Sequence, residues 1–189
     1  MKKTLIIVAY PCCGKTYFYH HQEELSYLLN GNLLYFTCVD SDRSKFSRTT
    51  GWEIDYVNNV ESNIGKYDFI FVSYHEEIML EFNKRKIPFV MVAPNNSEVL
   101  SSKERQIIKN EWFGRFILRD NSHIKGLNKL VKSFASDPHA GISLASSIYD
   151  SQTSTRNLSK FKPTKIFTLK ANEYLSDILL DLYVYKQSL

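Results

Sequence analysis

Gly14, Lys15 and Thr16 close the run Ala9-Tyr10-Pro11-Cys12-Cys13-Gly14-Lys15-Thr16, which holds the residue types a phosphate-binding loop needs. Backbone N–H groups of such a loop, and of the helix it opens, point at phosphate oxygens, where the helix dipole also favours an anion. Gly14 lets the backbone approach a nucleotide with no Cβ in the way. Lys15 would reach the β- and γ-phosphates, and the Thr16 hydroxyl would coordinate Mg²⁺. Pro11 stiffens the loop by fixing φ. Cys12 and Cys13 are small enough to stand where Gly and Ser are more usual. The first glycine of the Walker A pattern is Ala9 here, which serves if that residue keeps a strand-like φ. The competing reading is a chance Gly-Lys-Thr in a turn. The apolar strand before the loop and the helical segment after it argue against that.

A second group of chemical residues follows the second apolar run, in Val39-Asp40-Ser41-Asp42-Arg43. Phosphoryl transfer to a hydroxyl benefits from a carboxylate that accepts the proton, and the carboxyl end of a parallel strand is where ligands bind. An ordinary Asx turn leaving the strand is the plain alternative. The third run ends on Ser73, followed by His75 and Glu76, with Asp68 at its opposite end. Ser73 is a site for a Mg²⁺-bound water, with Glu76 behind it, and a strong magnesium-binding acid is missing there. The histidines lack metal-ligand spacing, and Tyr17-Phe18-Tyr19 reads as core and adenine-side packing.

Charge marks a third region. Residues 1–95 carry 10 basic and 11 acidic side chains, whereas residues 96–189 carry 14 and 9. Lys103 to Lys132 alone holds eight basic residues against three acidic ones. On one unbroken helix Arg105, Lys109, Arg115 and Arg119 would share about 120° of arc at ~100° per residue. Trp112 and Phe116 fall in the same sector, which argues against a wholly solvated charged face. Arginine stems packed on aromatics, with their heads in water, are the alternative to an anion-binding role.

Buried strands and crossovers must position these groups. The apolar runs Thr4–Ala9, Asn32–Val39, Tyr67–Ser73 and Pro88–Ala93 are continuous and rich in β-branched or aromatic residues, as strands covered on both faces are. Helices are expected over Thr16–Leu29, Asp55–Ile64 and Glu76–Arg85, giving right-handed βαβ units. Ser97–Asp120 reads as a helix capped by Ser97, with Gly114 a break point, and Asn128–Ala135 as a short one. Ser143–Ser159 reads as mixed helix and loop. Lys165–Leu169 is a fifth strand, and Asn172 would cap a last helix holding Leu175, Ile178, Leu179 and Leu182.

The whole chain has 189 residues, 43% hydrophobic and 23% charged, with a net charge of +4. Those values exclude a disordered chain, and no apolar run approaches the roughly 18–20 residues that span a bilayer. Three cysteines, two adjacent, suit a reducing compartment better than a disulfide framework. Leu5–Ala9 is too short for a secretion signal and runs into Tyr10-Pro11. The expectation is a cytoplasmic protein with no membrane partner, one domain over 1–189, and 97–135 as a basic helical excursion. Oligomeric state stays open.

With these residues in view, the chain resembles the small P-loop nucleoside and nucleotide kinases related to adenylate kinase, in particular the compact versions common in bacteriophages. The loop Ala9–Thr16, the run Val39–Arg43, the strand Phe69–Ser73 and the segment Glu111–Arg119 carry the resemblance. It implies a P-loop NTPase three-layer α/β fold: a five-stranded parallel sheet of order 2-3-1-4-5, helices on both faces and a helical lid. It also implies ATP and Mg²⁺ as cofactors, γ-phosphoryl transfer, and a nucleoside or nucleotide acceptor. By similarity to phage polynucleotide kinases, Asp40 is the first choice for the base and Asp42 the second, with Arg43 holding the acceptor. Arg105 joins the substrate ligands, and Arg115 and Arg119 become lid cations that neutralise transition-state charge. Two alternatives stay open: a kinase of a nucleic-acid hydroxyl (a 5′-hydroxyl or a hydroxymethylated base), and a nucleotide-binding regulator without turnover. A phage protein would work in the host cytoplasm.

Overall fold

Five apolar runs become strands in the computed structural model, which describes residues 2–27, 35–41, 46, 50–118, 146, 147, 149, 150 and 152–189. They are β1 (Leu5–Ala9), β2 (Cys38–Ser41), β3 (Phe69–Ser73), β4 (Val90–Pro94) and β5 (Lys165–Leu169). They form one parallel sheet in the order β2-β3-β1-β4-β5, as expected. Every residue of β1 and β4 is buried, which is why their sequences do not alternate. Edge strand β5 does alternate, with Phe167 and Leu169 inward and Thr168 exposed. Strand β2 starts at Cys38 and runs to Ser41, later than its apolar run suggests.

By its contacts the chain divides into two units. The first comprises Met1–Ala93, Phe161–Leu169 and Glu173–Leu189. It holds helices α1 (Lys15–His20), α2 (Gln22–Tyr27), α3 (Trp52–Asn63), α4 (Glu76–Arg85) and α7 (Leu179–Ser188). The single helix expected over Thr16–Leu29 is broken at His21, beside a side chain that bonds outside the helix. Gln22 Nε2 donates to the Tyr19 carbonyl at 3.2 Å, while its Oε1 accepts from the Cys38 N–H at 3.0 Å. This one side chain thus pins the break to the start of β2.

Helices α3 and α4 lie against each other, and they bury Tyr56, Val57 and Val60 and Ile78, Met79 and Phe82 respectively. Arg85 ties them, donating to Glu81 at 2.7 Å, Glu61 at 2.5 Å and Asn58 at 2.7 Å. The last helix starts at Leu179, not after Asn172; Asn172 is a left-handed turn residue (φ 62°), and Leu175 and Ile178 precede the helix. Lys186 of α7 and Lys2 both reach buried Asp68 just before β3, at 2.5 and 2.6 Å. Burial alone would raise that carboxyl; hydrogen bonds from Lys186, Lys2 and the Thr37 N–H outweigh it and hold the pKa below its ordinary value.

The second unit comprises Pro94–Lys160 and Lys170–Asn172. It holds α5 (Ser102–Leu118) and α6 (Thr155–Ser159). The cap of α5 is Ser101, not Ser97. Glu104 accepts from the Ser101 N–H at 2.9 Å and its hydroxyl at 2.6 Å, and Ser101 Oγ accepts from the Glu104 N–H at 3.3 Å. That reciprocal pair is a capping box, and it lowers the Glu104 pKa. The helix continues through Gly114 without a break. In the mixed segment 143–159, Ser154 caps α6 by accepting from the Asn157 N–H at 3.3 Å. The expected helix Asn128–Ala135 lies outside the described residues.

Candidate phosphate-transfer site

The loop between β1 and α1 is built by two left-handed residues, Cys12 (φ 64°) and Gly14 (φ 91°). Such conformations bring successive N–H groups to one side of a turn, the geometry of an anion nest. Gly14 needs its lack of a side chain twice over. Its φ disfavours an L-residue, and a Cβ there would lie 3.3 Å from Tyr174 Cδ1 and 3.4 Å from Tyr174 Cβ. Cys13 anchors the turn: its Sγ lies 3.7 Å from the Val92 carbonyl, and its own carbonyl accepts from the Leu175 N–H at 2.9 Å. Tyr10 N–H donates to the same Val92 carbonyl at 2.9 Å.

Lys15 opens α1 and folds its side chain back, so that Nζ donates to the Ala9 carbonyl at 3.1 Å. The ammonium is therefore held across the mouth of the loop. Ala9 remains the last residue of β1, so the glycine expected at that position is not needed for backbone freedom. Thr16 is exposed on the first turn of α1, and Pro11 and Cys12 are half-buried. All three cysteines are free thiols, as expected.

Strand register aligns the remaining groups. Ala9 pairs with Ser73 and with Val92, while Asp40 pairs with Phe71 and Ser41 with Val72. The carboxyl ends of β2, β3 and β1 thus share one sheet edge, with Asp40 two strand spacings, about 10 Å, from β1. Asp40 is half-buried. Strand alternation places it on the same face as Cys38, whose Sγ meets Gln22 of α2 at 3.6 Å. Helix α1, which the loop opens, also lies against β2. Burial first, then the charges of Asp40 and Asp68, push the Cys38 thiol up to about 12, so it stays protonated. Asp42 and Arg43 lie outside the described residues.

At the end of β3, Ser73, Tyr74 and His75 are half-buried and Glu76 is exposed. Burial, then Glu76, raises the Tyr74 phenol to about 12. Asp68 sits at the far end, as its sequence position implies, and is consumed by its two lysines. Among the described residues no group of three His, Cys, Asp or Glu gathers to hold a metal. Any Mg²⁺ at this edge would rest on Thr16, on nucleotide oxygens and on water, a donor set that magnesium accepts.

Within the second unit, the basic residues of α5 meet partners of that unit. Lys109 pairs with Asp150 at 2.6 Å and lies 5.8 Å from the Tyr149 ring centre. Arg115 is bonded to Glu111 and stacks 4.8 Å over the Trp112 ring. Glu111 also accepts from the Asn172 N–H at 2.6 Å. Arg105 Nη1 donates to the Ser97 carbonyl at 3.4 Å. Arg119 lies outside the described residues. Arg115 thus lies on an aromatic face as the alternative has it, but its head is held by Glu111 rather than by water, and its side chain is only 9% exposed.

Tyr17-Phe18-Tyr19 divides: Phe18 is fully buried among Phe36, Phe69 and Phe71, while Tyr17 and Tyr19 are 53% and 37% exposed. The pairing of Tyr174 with Gly14 is absent from the sequence reading. No local spacing announces it, because it depends on a turn after β5 meeting a loop after β1. The aromatic group of Trp52, Tyr56 and His75 was missed for the same reason. No helix among the described residues is long and apolar enough to cross a membrane. Comparisons with protein-family models, curated proteins and solved structures returned no match.

Proposed function

We propose that this chain is an ATP-dependent kinase that transfers a γ-phosphoryl group to a nucleoside or nucleotide. The observation that carries the reading is the Lys15 ammonium on the Ala9 carbonyl, above a loop with two left-handed residues, at the carboxyl edge of a parallel sheet. A chance Gly-Lys-Thr in a turn has no reason to adopt all three features together.

In this mechanism the loop N–H groups and Lys15 bind the β- and γ-phosphates and draw charge toward the bridging oxygen. Thr16 and nucleotide oxygens would hold Mg²⁺, which would supply further charge neutralisation. Asp40, on the α1 face of β2 two strands from β1, takes the acceptor hydroxyl proton as the new O–P bond forms. The γ-phosphorus to bridging-oxygen bond breaks, and its electron pair leaves with ADP. Tyr174 holds the loop in shape by packing against Gly14.

The test is transfer from γ-labelled ATP to a panel of nucleosides, nucleotides and DNA oligomers. Transfer to the small acceptors, lost in Lys15→Ala, is the expected result. ATP binding unaffected by Lys15→Ala would overturn the assignment. Transfer only to oligomers, with steep salt dependence, would move the acceptor to nucleic acid.

A further inference from the structure

The amino ends of the strands form the sheet edge opposite Lys15 and Asp40, and lysines stand before four of the five strands. Lys66 precedes β3, Lys2 and Lys3 precede β1, Lys86 precedes β4, and Lys162 precedes β5, whose first residue is Lys165. In the sheet order β2-β3-β1-β4-β5 these positions follow one another across neighbouring strands. Local contacts fix the row. Thr4 Oγ1 donates to the Tyr67 carbonyl at 2.6 Å and accepts from the Gly65 N–H at 2.8 Å, which sets Lys66 beside the start of β1. The Phe89 carbonyl accepts from the Thr164 N–H at 2.8 Å, which lays the approach to β5 against the approach to β4.

Lys3, Lys66, Lys86, Lys162 and Lys165 are exposed, and among the described residues none of the five is in an ion pair. Lys3 donates to the Gln187 carbonyl at 3.0 Å and Lys165 lies 4.5 Å from the Phe167 ring centre, contacts that leave both charges in place. Acids at this end are matched by other cations: Asp68 by Lys2 and Lys186, and Glu61 and Glu81 by Arg85 and Lys84. Glu23 and Glu24 sit on α2, whose Gln22 and Ser26 bond to the Cys38 and Phe36 N–H groups, so they flank β2 past the end of the row. Helices α3, α4 and α7 also end at this edge, each with roughly half a negative charge at its carboxyl terminus. Lysines near helix ends are ordinary complements of that dipole, but three partial charges do not balance five full ones.

Neighbouring strands lie about 4.8 Å apart, so four strand ends spread the lysines over roughly 14 Å. One strand of a DNA duplex advances ~3.4 Å per phosphate, so about four phosphates span the same length. A line of cations matches a linear polyanion and offers nothing particular to the plane of an anionic bilayer. We propose that this edge binds a nucleic-acid strand through its phosphates, without reading the base sequence. The row lies a strand length away from the phosphate loop, so the contact is separate from the kinase site and does not depend on the kinase reading.

The test is fluorescence anisotropy of short labelled DNA oligomers, single-stranded and duplex and of two unrelated sequences, titrated with the full-length chain. Both sequences should bind equally. The logarithm of the binding constant should fall against that of salt concentration with a slope of about −3, from three or four phosphate contacts. Replacing Lys66, Lys86 and Lys162 together by Gln should flatten the slope to about −1 and weaken binding at low salt by at least ~30-fold. Each single replacement should flatten it by about 0.9, which decides the matter even if the triple variant melts early. Lys103→Gln, an exposed lysine of α5, and Lys15→Ala should both bind DNA as wild type does. Single-stranded and duplex DNA present the same phosphates, so binding of either form supports the proposal. It falls if no oligomer binds at low salt, or if the single and triple variants bind like wild type. Loss of binding in Lys15→Ala would overturn it too, by placing the strand at the phosphate loop. Binding to phosphatidylserine vesicles with none to DNA would overturn it in favour of a membrane.

Discussion

Replacing Asp68 by Asn removes one charge from a carboxylate that holds three segments together. Its Oδ1 accepts from Lys186 at 2.5 Å; its Oδ2 accepts from Lys2 at 2.6 Å and from the Thr37 N–H at 2.8 Å. Asp68 is 5% exposed and Lys186 4% exposed, so the lysine cannot turn to water when its partner is lost. Removing one member of a buried ion pair costs about 3–5 kcal/mol. Total stabilities run roughly 5–15 kcal/mol, so Asp68→Asn should remove a large share. Lys186→Met removes the other charge but leaves Asp68 with Lys2 and Thr37, so its cost should be about 1–2 kcal/mol. The double variant should be more stable than the sum of the two by about 2 kcal/mol, since the stranded ammonium is gone.

Urea unfolding of the four proteins measures this cycle. A loss under about 1 kcal/mol in Asp68→Asn, or additivity in the double variant, would refute the account. The pH profile gives an independent check. The folded pKa of Asp68 is lowered, so its contribution is fully present above the unfolded value near ~3.9. The contribution is lost as pH falls below that toward the folded pKa. Asp68→Asn should therefore flatten the acid limb of the stability profile below about pH 4 and leave the curve parallel to wild type above it. Nucleotide affinity of the folded fraction should not change. Phe69, next to Asp68, pairs with Leu5, and the phosphate loop begins four residues further along β1, ~13 Å away.

Gly14→Ala should lower stability by at least about 1–2 kcal/mol, because φ 91° is unfavourable for alanine and the new Cβ crowds Tyr174; a thermal melt equal to wild type would contradict the loop geometry. Asp40→Asn should lower kcat by about 10²–10⁴ while the ATP KM stays within a few-fold, and a kcat within threefold of wild type would remove Asp40 as the base. Mg²⁺ alone should leave Tm unchanged, whereas MgATP at about a hundred times its Kd should add ~2.7 kcal/mol; stabilisation by Mg²⁺ without nucleotide would reveal a metal site outside this account. Ser101→Ala should cost about 1 kcal/mol by removing the capping box of α5, read by urea unfolding with Ser97→Ala as a silent control.

The strands were legible because two-sided burial writes itself into sequence as unbroken apolar runs, whereas their order was implied only by the family resemblance. Tyr67–Ser73 needed only trimming, Pro88–Ala93 moved to Val90–Pro94, and Lys165–Leu169 needed no change. Helix ends were less legible wherever a single polar side chain decides them. Gln22 breaks the first helix through a bond to Cys38, a partner 16 residues away, and no periodicity contains that information. Ser97 and Ser101 are both serines before the same helix. Only Ser101 has a glutamate three residues on, so that choice was readable and Ser97 was the poorer one. The turn between β1 and α1 was legible because its geometry is local to a few residues. Tyr174 on Gly14, and Trp52 with His75, arise from turns brought together by strand order, and became visible only with the sheet.

The two acids Asp40 and Asp68 show why position along a parallel strand outranks residue type. Asp68 is the buried acid nearest to β3, yet it lies at the amino end, where two lysines neutralise it and its value is structural. Asp40 lies on the neighbouring strand at the carboxyl end, half-buried, on the face that α1 covers. Parallel strands point every carboxyl terminus to one edge, so register alone puts the first acid at the opposite end of the sheet and the second toward the edge where the proposed site lies. The edge then carries an ammonium at Lys15 and a carboxylate at Asp40 on two different elements, the two groups on which the proposed kinase reading rests.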